Sequence, residues 1–253
     1  MSKKYSKNPN KPSKNQVIYG IHSVKAALLN RKRIHNELIL QENVNFPLEK
    51  FKSRIKKIKF LEQKQFKKLY GNEQSTQGIV LITEESFIPP LEEFLQIENK
   101  KTKSIILVLD QITDPQNIGS IMRSCALFGC NCIVVSKDNS PELTPSLLKA
   151  ASGAAELVNY YKVTNLRRFL LNCKKNGYWI YGFDSSSNSK SDLKFEKKSV
   201  LVFGSESKGI RDLIKKECDI FIKLKIKDIS QFEIDSLNVS NATSIALHEF
   251  YKT

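Results

Sequence analysis

The sequence predicts an α/β fold, in which a parallel sheet follows a smaller α/β unit. Segments typical of strands alternate with segments typical of amphipathic helices along most of the 253 residues, which is the pattern of α/β domains. The segment SIILVLD (104–110) is apolar without alternation, as expected of a parallel strand that is covered on both faces. A chain of this length can form one large domain or two small ones.

The first third of the chain predicts the smaller unit. Residues 1–15 are polar and basic, and we expect them to be a disordered tail. Residues 16–83 predict a compact α/β module in which strands and helices alternate. The predicted strands are 37–40, 58–61 and 78–82, and the predicted helices lie around 24–28, at 47–57 and at 63–70.

The rest of the chain predicts the parallel α/β domain. Residues 84–103 are rich in Glu and Lys and contain two prolines, so they predict a linker with one or two helical turns. The main domain is expected to span 104–253. Its predicted strands are 104–110, 132–135, 156–163, 178–182, 199–203 and 219–224, and its predicted helices are 117–128, 145–151, 165–175, 209–216 and 239–251.

The positive charge is concentrated near the start of the chain. Residues 1–70 hold 18 lysines and arginines against 4 acids, whereas residues 71–253 hold 23 against 22. Almost all of the net charge of +15 therefore belongs to the tail and the first unit. Such asymmetry indicates a polyanionic partner. Nucleic acid is the expected partner, and an anionic membrane surface is the alternative.

Several classes of protein are excluded by composition. The longest apolar run, 105–109, is too short to span a bilayer, and the first 16 residues lack the apolar core of a signal peptide. The five cysteines form no CxxC pair and the three histidines are scattered, so we expect no metal site. An odd number of cysteines without a secretion signal predicts reduced, mostly buried thiols and a cytoplasmic location.

Ligands of open parallel sheets bind beyond the carboxyl ends of the strands, so the segments after strands are the candidate sites. The first is DQITDPQNIGSIMRSCALFG (110–129). Asn117 could belong to a ligand site or could simply cap the helix that follows. Arg123 lies outside the apolar stripe of that helix, so it could face a ligand or be an ordinary surface arginine.

Two further segments have an unusual polar composition. In GSESKG (204–209), Gly204 and Gly209 permit a tight turn and close approach of a ligand, and Glu206 places a charge in the loop. The segment matches neither a Walker loop nor the GxGxxG fingerprint, which argues against nucleotide hydrolysis and against a dehydrogenase. The third segment, 234–247, clusters small polar residues before a helix, more than one cap requires: Ser236, Asn238, Ser240 and Asn241.

The three motifs together resemble the SpoU/TrmH family of RNA ribose 2′-O-methyltransferases, within the SPOUT superfamily. The resemblance rests on NIGSIMRSCALFG (117–129), GSESKG and SLNVSNA (236–242), in this order. It implies a SPOUT-type parallel sheet with a C-terminal trefoil knot. Residues 17–83 resemble the L30e-like RNA-binding module often fused in front, with Tyr19-Gly20 at its start and Gln77-Gly78-Ile79 at its end.

The resemblance also implies a cofactor, a site and a partner. S-adenosylmethionine (SAM) would donate the methyl group, and the protein would be a homodimer. A charged Arg123 would grip the adjoining phosphate and stabilise the developing alkoxide, while Asn117 and Glu206 orient it and the ribose. The implied catalytic residues are Asn117, Arg123, Glu206, Ser236 and Asn238, and the implied cofactor-binding residues are Gly204, Leu224, Ile226 and Leu237.

The expected substrate is a guanosine ribose of large-subunit ribosomal RNA, because the L30e-like extension accompanies that branch of the family. A transfer-RNA methyltransferase and a non-catalytic RNA-binding assembly factor are the alternatives. The sequence departs from the family pattern at three places. Lys225 stands where a proline is usual, residues 227–235 form a longer loop than usual, and Thr76 stands where relatives often have histidine.

Overall fold

The computed structural model describes residues 15–71, 73–184, 194–227 and 236–253, with 73 and 74 described by their backbone alone. The chain divides into two compact units, Met1–Phe87 and Ile88–Thr253. Nearly all of the predicted tail (1–15) and of the long loop (227–235) lies outside the described residues. Among the described residues, the helices are all too short or too polar to cross a membrane.

The first unit is a mixed four-stranded sheet in the order β1-β4-β2-β3, in which β2 and β3 are parallel and the other pairs antiparallel. Phe66 of α2 packs against Ile39 and Val80 on one face of this sheet. The strands are Asn15–Tyr19 (β1), His35–Gln41 (β2), Ile55–Leu61 (β3) and Ile79–Glu84 (β4), and the helices are Ile21–Leu29 (α1), Gln63–Tyr70 (α2) and Glu73–Thr76 (α3).

The predicted helix at 47–57 is wrong. Leu48–Lys50 and Lys52–Arg54 form two short 3-10 turns, and the chain then enters β3. The lysines of this stretch favour a helix, but β3 pairs along its length with the buried strand β2. Because that pairing takes Ile55 and Ile58 into the sheet, the tertiary context outweighs the local helical propensity.

The two ends of the first unit meet at the start of α1. The Gly20 N–H donates to the Thr76 carbonyl at 3.2 Å, and the Ile21 N–H donates to the side-chain oxygen of Gln77 at 2.8 Å. Gly20 itself has no side chain to cap α1, so the cap comes from a residue 56 positions later in the chain. Tyr19-Gly20 and Gln77-Gly78-Ile79, the two segments that carry the resemblance to the RNA-binding module, are therefore neighbours in the structure.

The described residues of the second unit form a six-stranded sheet in which every pair is parallel, in the order β10-β8-β9-β5-β6-β7. This confirms the predicted parallel α/β class, while the trefoil knot stays a prediction. The strands are Ser104–Asp110 (β5), Cys132–Ser136 (β6), Asn159–Val163 (β7), Trp179–Phe183 (β8), Lys198–Gly204 (β9) and Ile220–Ile222 (β10). The helices are Leu91–Glu98 (α4), Pro115–Leu127 (α5), Pro145–Ala151 (α6), Leu166–Lys175 (α7), Asp212–Lys215 (α8) and Val239–Lys252 (α9).

Helices cover both faces of this sheet. Side chains of α5, α6 and α9 pack on one face, and side chains of α4, α7 and α8 pack on the other. All seven residues of β5 are buried, which explains why SIILVLD does not alternate. Three predicted elements are clearly shorter than expected. The stretch 156–163 begins with the end of a 3-10 turn before β7, the helix predicted at 209–216 is only α8, and the strand predicted at 219–224 is only β10.

Four of the five cysteines are buried, as predicted, and all five are free thiols. Cys125 and Cys132 lie within the core on opposite faces of the sheet. Burial raises the pKa of the Cys132 thiol well above its usual range. Burial raises the pKa of Cys125 in the same way, so these two thiols are protonated packing groups at neutral pH and not nucleophiles.

Candidate active site

A cavity of about 370 Å³ lies at the carboxyl end of the sheet in the second unit. Its walls come from the segments that follow β8, β9 and β10 and from the start of α9. Apolar side chains such as Phe203, Ile222 and Val239 form part of the wall, and serines, lysines and two carboxylates border it. A cavity of this size, with apolar and polar groups in similar shares, can hold a small molecule that has both apolar and charged parts.

The four residues predicted to bind a cofactor all line this one cavity: Gly204, Leu224, Ile226 and Leu237. Glu206 and Ser236, two of the five predicted catalytic residues, line it as well. These residues come from three separate segments of the chain. The structure brings them together because β9 and β10 end at the same edge of the sheet, next to the segment that leads into α9.

The glycine loop 204–209 folds back on itself. Ser205 and Gly209 form an antiparallel bridge, with the Gly209 N–H donating to the Ser205 carbonyl at 2.8 Å. A β-carbon at Gly204 would overlap the backbone of Gly209 and Ile210, and Gly209 has a φ of +65°. Both positions therefore require glycine, the first for space and the second for conformation.

An ion pair between a buried carboxylate and an exposed arginine, which sequence reasoning missed, anchors the end of this loop. Asp110, the last residue of β5, is fully buried and stands beside Gly204 in the sheet. Its carboxylate accepts the Arg211 backbone N–H at 3.0 Å and the Arg211 Nε–H at 2.9 Å. The sequence did contain a signal for this pair, since Asp110 is a charged residue at the end of an apolar strand. A carboxylate that is buried with such a strand needs a partner.

Three of the predicted catalytic residues form one hydrogen-bond network. The Asn238 side-chain amide donates to Asn117 Oδ1 at 3.0 Å and to Glu206 Oε1 at 2.9 Å. Glu206 Oε1 also accepts the backbone N–H of Val239 at 3.1 Å. Both amide protons of Asn238 are used in this way, so Asn238 fixes Asn117 and Glu206 relative to each other.

Asn238 is also the N-cap of α9. Its Oδ1 accepts the Ser240 backbone N–H at 2.9 Å and the Ser240 hydroxyl at 2.6 Å. Of the four small polar residues around the start of α9 that the sequence offered as caps, Asn238 is therefore the one that caps the helix. The same side chain also makes the hydrogen bonds to Asn117 and Glu206. Ser236 is exposed at the edge of the cavity, and Asn241 is exposed on α9.

Asn117 does not cap α5, contrary to one expectation from the sequence. The helix begins at Pro115, two residues earlier than predicted, and Asp114 is its cap. The two carboxylate oxygens of Asp114 accept the backbone N–H groups of Gln116 at 3.0 Å and of Asn117 at 3.4 Å. Aspartate is a preferred N-cap and proline a preferred first helical residue, which leaves the Asn117 side chain available to Asn238.

Arg123 is not part of this network. It lies six residues after Asn117 on α5, about 9 Å further along the helix axis. Its side chain is exposed, as predicted, and forms neither an ion pair nor a hydrogen bond with the residues that the structure describes. It belongs to an exposed stripe of α5 that also contains Ser120 and Leu127.

A second ion pair that the sequence did not indicate borders the cavity. Lys215 lies 2.6 Å from the carboxylate of Asp184, the residue directly after β8. This hydrogen bond raises the pKa of Lys215 and keeps it protonated. Asp184 follows a strand end, so the rule that located the other motifs could have found it. Within the described residues, His, Cys, Asp and Glu side chains form no group that could hold a metal ion.

Comparison with known proteins gives two family matches. Residues 104–248 match the SpoU rRNA methylase family, and residues 17–89 match a family described as RNA 2′-O ribose methyltransferase substrate binding. The first match alone covers more than half of the chain, including the cavity and the network.

Individual relatives cover nearly the whole chain. A Coxiella burnetii protein named 23S rRNA (guanosine-2′-O-)-methyltransferase RlmB is 32% identical, over 94% of this chain and 95% of its own. A Staphylococcus epidermidis protein, whose name places it among TrmH family tRNA/rRNA methyltransferases, is 30% identical over 93% and 95%.

Among solved structures, the SpoU methyltransferase AviRb from Streptomyces viridochromogenes, in complex with AdoMet, has a TM-score of 0.76 at 16% identity. It covers 94% of this chain and 89% of its own. At this identity the likeness confirms the fold.

Proposed function

The chain belongs to the SpoU rRNA methylase family, and from this membership we propose that it methylates a ribose 2′-hydroxyl of large-subunit ribosomal RNA, with SAM as donor and guanosine as target. The observation that carries the proposal is the Asn117–Asn238–Glu206 network beside the cavity that Gly204, Leu224 and Leu237 line. Such an enzyme would act in the cytoplasm, where ribosomal RNA and ribosomal proteins are assembled into ribosomes.

The cavity fits the proposed cofactor. Its volume of about 370 Å³ lies in the range of small-molecule sites, and the close approach of Gly204 to the backbone of Gly209 and Ile210 gives the loop its tight fold beside the cavity. When bound, SAM supplies a methyl group already activated by its sulfonium. We assign Gly204, Leu224, Ile226 and Leu237 to hold it, and Glu206 and Ser236 to the boundary between cofactor and ribose.

The network offers the right groups for a ribose hydroxyl. Asn238 uses Glu206 Oε1 and Asn117 Oδ1, whereas Glu206 Oε2 and the Asn117 side-chain amide form no hydrogen bond with the described residues. The Glu206 Oε2 atom therefore remains as an acceptor and the Asn117 amide as a donor. A hydroxyl is both a donor and an acceptor, so it could bind to both. We assign these two groups to orient the 2′-hydroxyl, because methyl transfer requires alignment of oxygen, carbon and sulfur.

Arg123 would act through its positive charge and not as a base. A guanidinium stays protonated in proteins, so it cannot be the base that removes the hydroxyl proton. We assign Arg123 to bind the phosphate next to the target ribose and to stabilise the developing alkoxide, with the proton leaving to phosphate or water. Its exposure and lack of a described partner are compatible with a role that begins when RNA arrives.

The first unit supports an RNA substrate. It carries most of the net charge, and its match is to a substrate-binding family. The edge strand β3 presents three exposed lysines. Lys57 and Lys59 pair with Glu37, whereas Lys56 is on the same face of the strand as Phe60, which is 59% exposed. A lysine that meets a phosphate beside an aromatic ring that can stack on a base is a common arrangement for single-stranded RNA.

A homodimer belongs to the same proposal. Exposed apolar side chains lie on α5 and α9, which are joined by a hydrogen bond between the Ser124 and Ser244 hydroxyls at 2.6 Å. Leu127 is 76% exposed, and Ile245 and Tyr251 are also exposed. We expect light scattering to give the mass of two chains, and Leu127→Asp with Ile245→Asp to give one. A single-chain mass for the unaltered protein would contradict this.

The function is tested by methyl transfer from labelled SAM to unmodified ribosomal and transfer RNA in parallel, with the label mapped to base or ribose. We expect ribose label in large-subunit RNA. Label in transfer RNA would retain the chemistry and change the substrate. A protein that binds RNA but not SAM would overturn the proposal in favour of a non-catalytic assembly factor.

A further inference from the structure

We propose that the exposed lysines after β10, namely Lys223, Lys225 and Lys227, bind the phosphodiester backbone of the substrate RNA beside the nucleotide that is methylated. We call residues 223–227 the lysine segment. The inference rests on the proposed function and deepens it, because it adds a second group of phosphate-binding side chains to the second unit, beside Arg123. Affinity for RNA then comes from more than the basic first unit and Arg123.

The lysine segment lies at the edge of the cavity. Leu224 and Ile226 line the cavity wall, whereas Lys225 and Lys227 do not line it and are exposed. Lys223 is exposed as well and reaches the cavity edge. Lys208 of the glycine loop, also exposed, contributes a fourth positive charge to the same border. The alternating sequence LKIK thus gives apolar residues to the cavity and cations to its outer side.

These lysines form no ion pair with the described residues, in contrast to several lysines of the second unit. Lys215 is paired with Asp184, Lys174 with Asp219 and Lys252 with Glu249. Residues two positions apart in a chain are at most about 7 Å apart, which is within the screening length at physiological salt. The lysine segment therefore carries like charges that repel one another, and a bound polyanion would relieve the repulsion.

Position distinguishes the lysine segment from other lysine-rich stretches of the second unit. Residues 100–103 and 194–198 also hold three lysines each, but they lie at the starts of β5 and β9, at the amino end of the sheet. The lysine segment follows β10 at the carboxyl end, beside the cavity.

The chemistry of the reaction indicates which ligand these cations meet. A ribose 2′-hydroxyl is on the carbon next to the one that bears the 3′-phosphate. A nucleotide that presents this hydroxyl to the cavity must therefore bring its backbone past the cavity edge. Lysine binds phosphate as a point charge without reading sequence, which suits a group that positions the RNA and leaves recognition of the base to others.

The test compares two double variants that remove the same charge from opposite ends of the sheet. Lys225→Gln with Lys227→Gln alters the outer lysines and spares Lys223, which lines the cavity. The control, Lys100→Gln with Lys197→Gln, removes two exposed lysines that precede β5 and β9 at the amino end of the sheet. Affinity for RNA is measured over a series of salt concentrations, and SAM affinity is measured by calorimetry.

We expect the first variant to weaken RNA binding and to lower the slope of log affinity against log salt by about 2, one for each phosphate that is no longer neutralised. SAM affinity should not change, and Lys225→Arg with Lys227→Arg should restore the slope. The control should keep the wild-type slope. Equal slopes in both glutamine variants would overturn the inference. Failure of the unaltered protein to bind SAM would overturn the proposed function instead, so the two failures can be distinguished.

Discussion

Arg123→Ala should lower the rate of methyl transfer by about 100-fold to 1,000-fold, the usual cost of removing one group that stabilises a developing oxyanion. The affinity for SAM should stay unchanged, because Arg123 does not line the cavity and forms no bond with Asn117, Asn238 or Glu206. Single-turnover transfer from labelled SAM at saturating RNA measures the rate, and calorimetry measures the affinity.

Arg168→Ala is the matched control, since Arg168 is equally exposed but lies on α7, on the other face of the sheet. It should keep the wild-type rate. A loss of SAM binding in Arg123→Ala, or an equal loss of rate in both variants, would remove Arg123 from the reaction.

Gly204→Ala should raise the dissociation constant for SAM by about a hundredfold or more. The new methyl group would overlap the backbone of Gly209 and Ile210, so the loop would have to open. Overpacking in a rigid site costs about 3 kcal/mol, and at the binding site that corresponds to about two orders of magnitude in affinity. Calorimetric titration with SAM measures the effect.

Gly177→Ala separates this local effect from a general loss of stability. Gly177 has a φ of +79°, but a β-carbon there would meet no atom within 4 Å. The variant should lose about 1 kcal/mol of stability from its left-handed backbone and bind SAM normally. If Gly204→Ala bound SAM as tightly as Gly177→Ala does, the glycine loop would not be the cofactor site.

Local patterns predicted the second unit better than the first. The unbroken apolar run of β5 identified a parallel strand, and the structure buries all seven of its residues. The helix predicted from the lysine-rich stretch at 47–57 was wrong. That stretch leads into β3, whose structure comes from pairing with β2, about 20 positions earlier in the chain. The early start of α5 has a simpler cause, since Asp114-Pro115 is a stronger start signal than Asn117.

The candidate site shows the same division between local and distant information. The motifs named Asn117, Glu206 and Asn238, but no spacing rule could show that Asn238 binds both of the others, because 121 residues separate it from Asn117. Asp110 and Arg211 were missed for the same reason, as they are 101 residues apart. The position of Arg123 outside the network could not be derived from the sequence, which places it only on the helix.

The double role of Asn238 has a consequence for the synthesis of the protein. Asn117 precedes Asn238 by 121 residues and Glu206 precedes it by 32, so both are translated first, and Asn238 is the side chain that joins them. The reaction centre that we propose therefore cannot be complete before α9 has begun to form. A nascent chain that has not yet folded α9 should be unable to carry out the proposed methyl transfer.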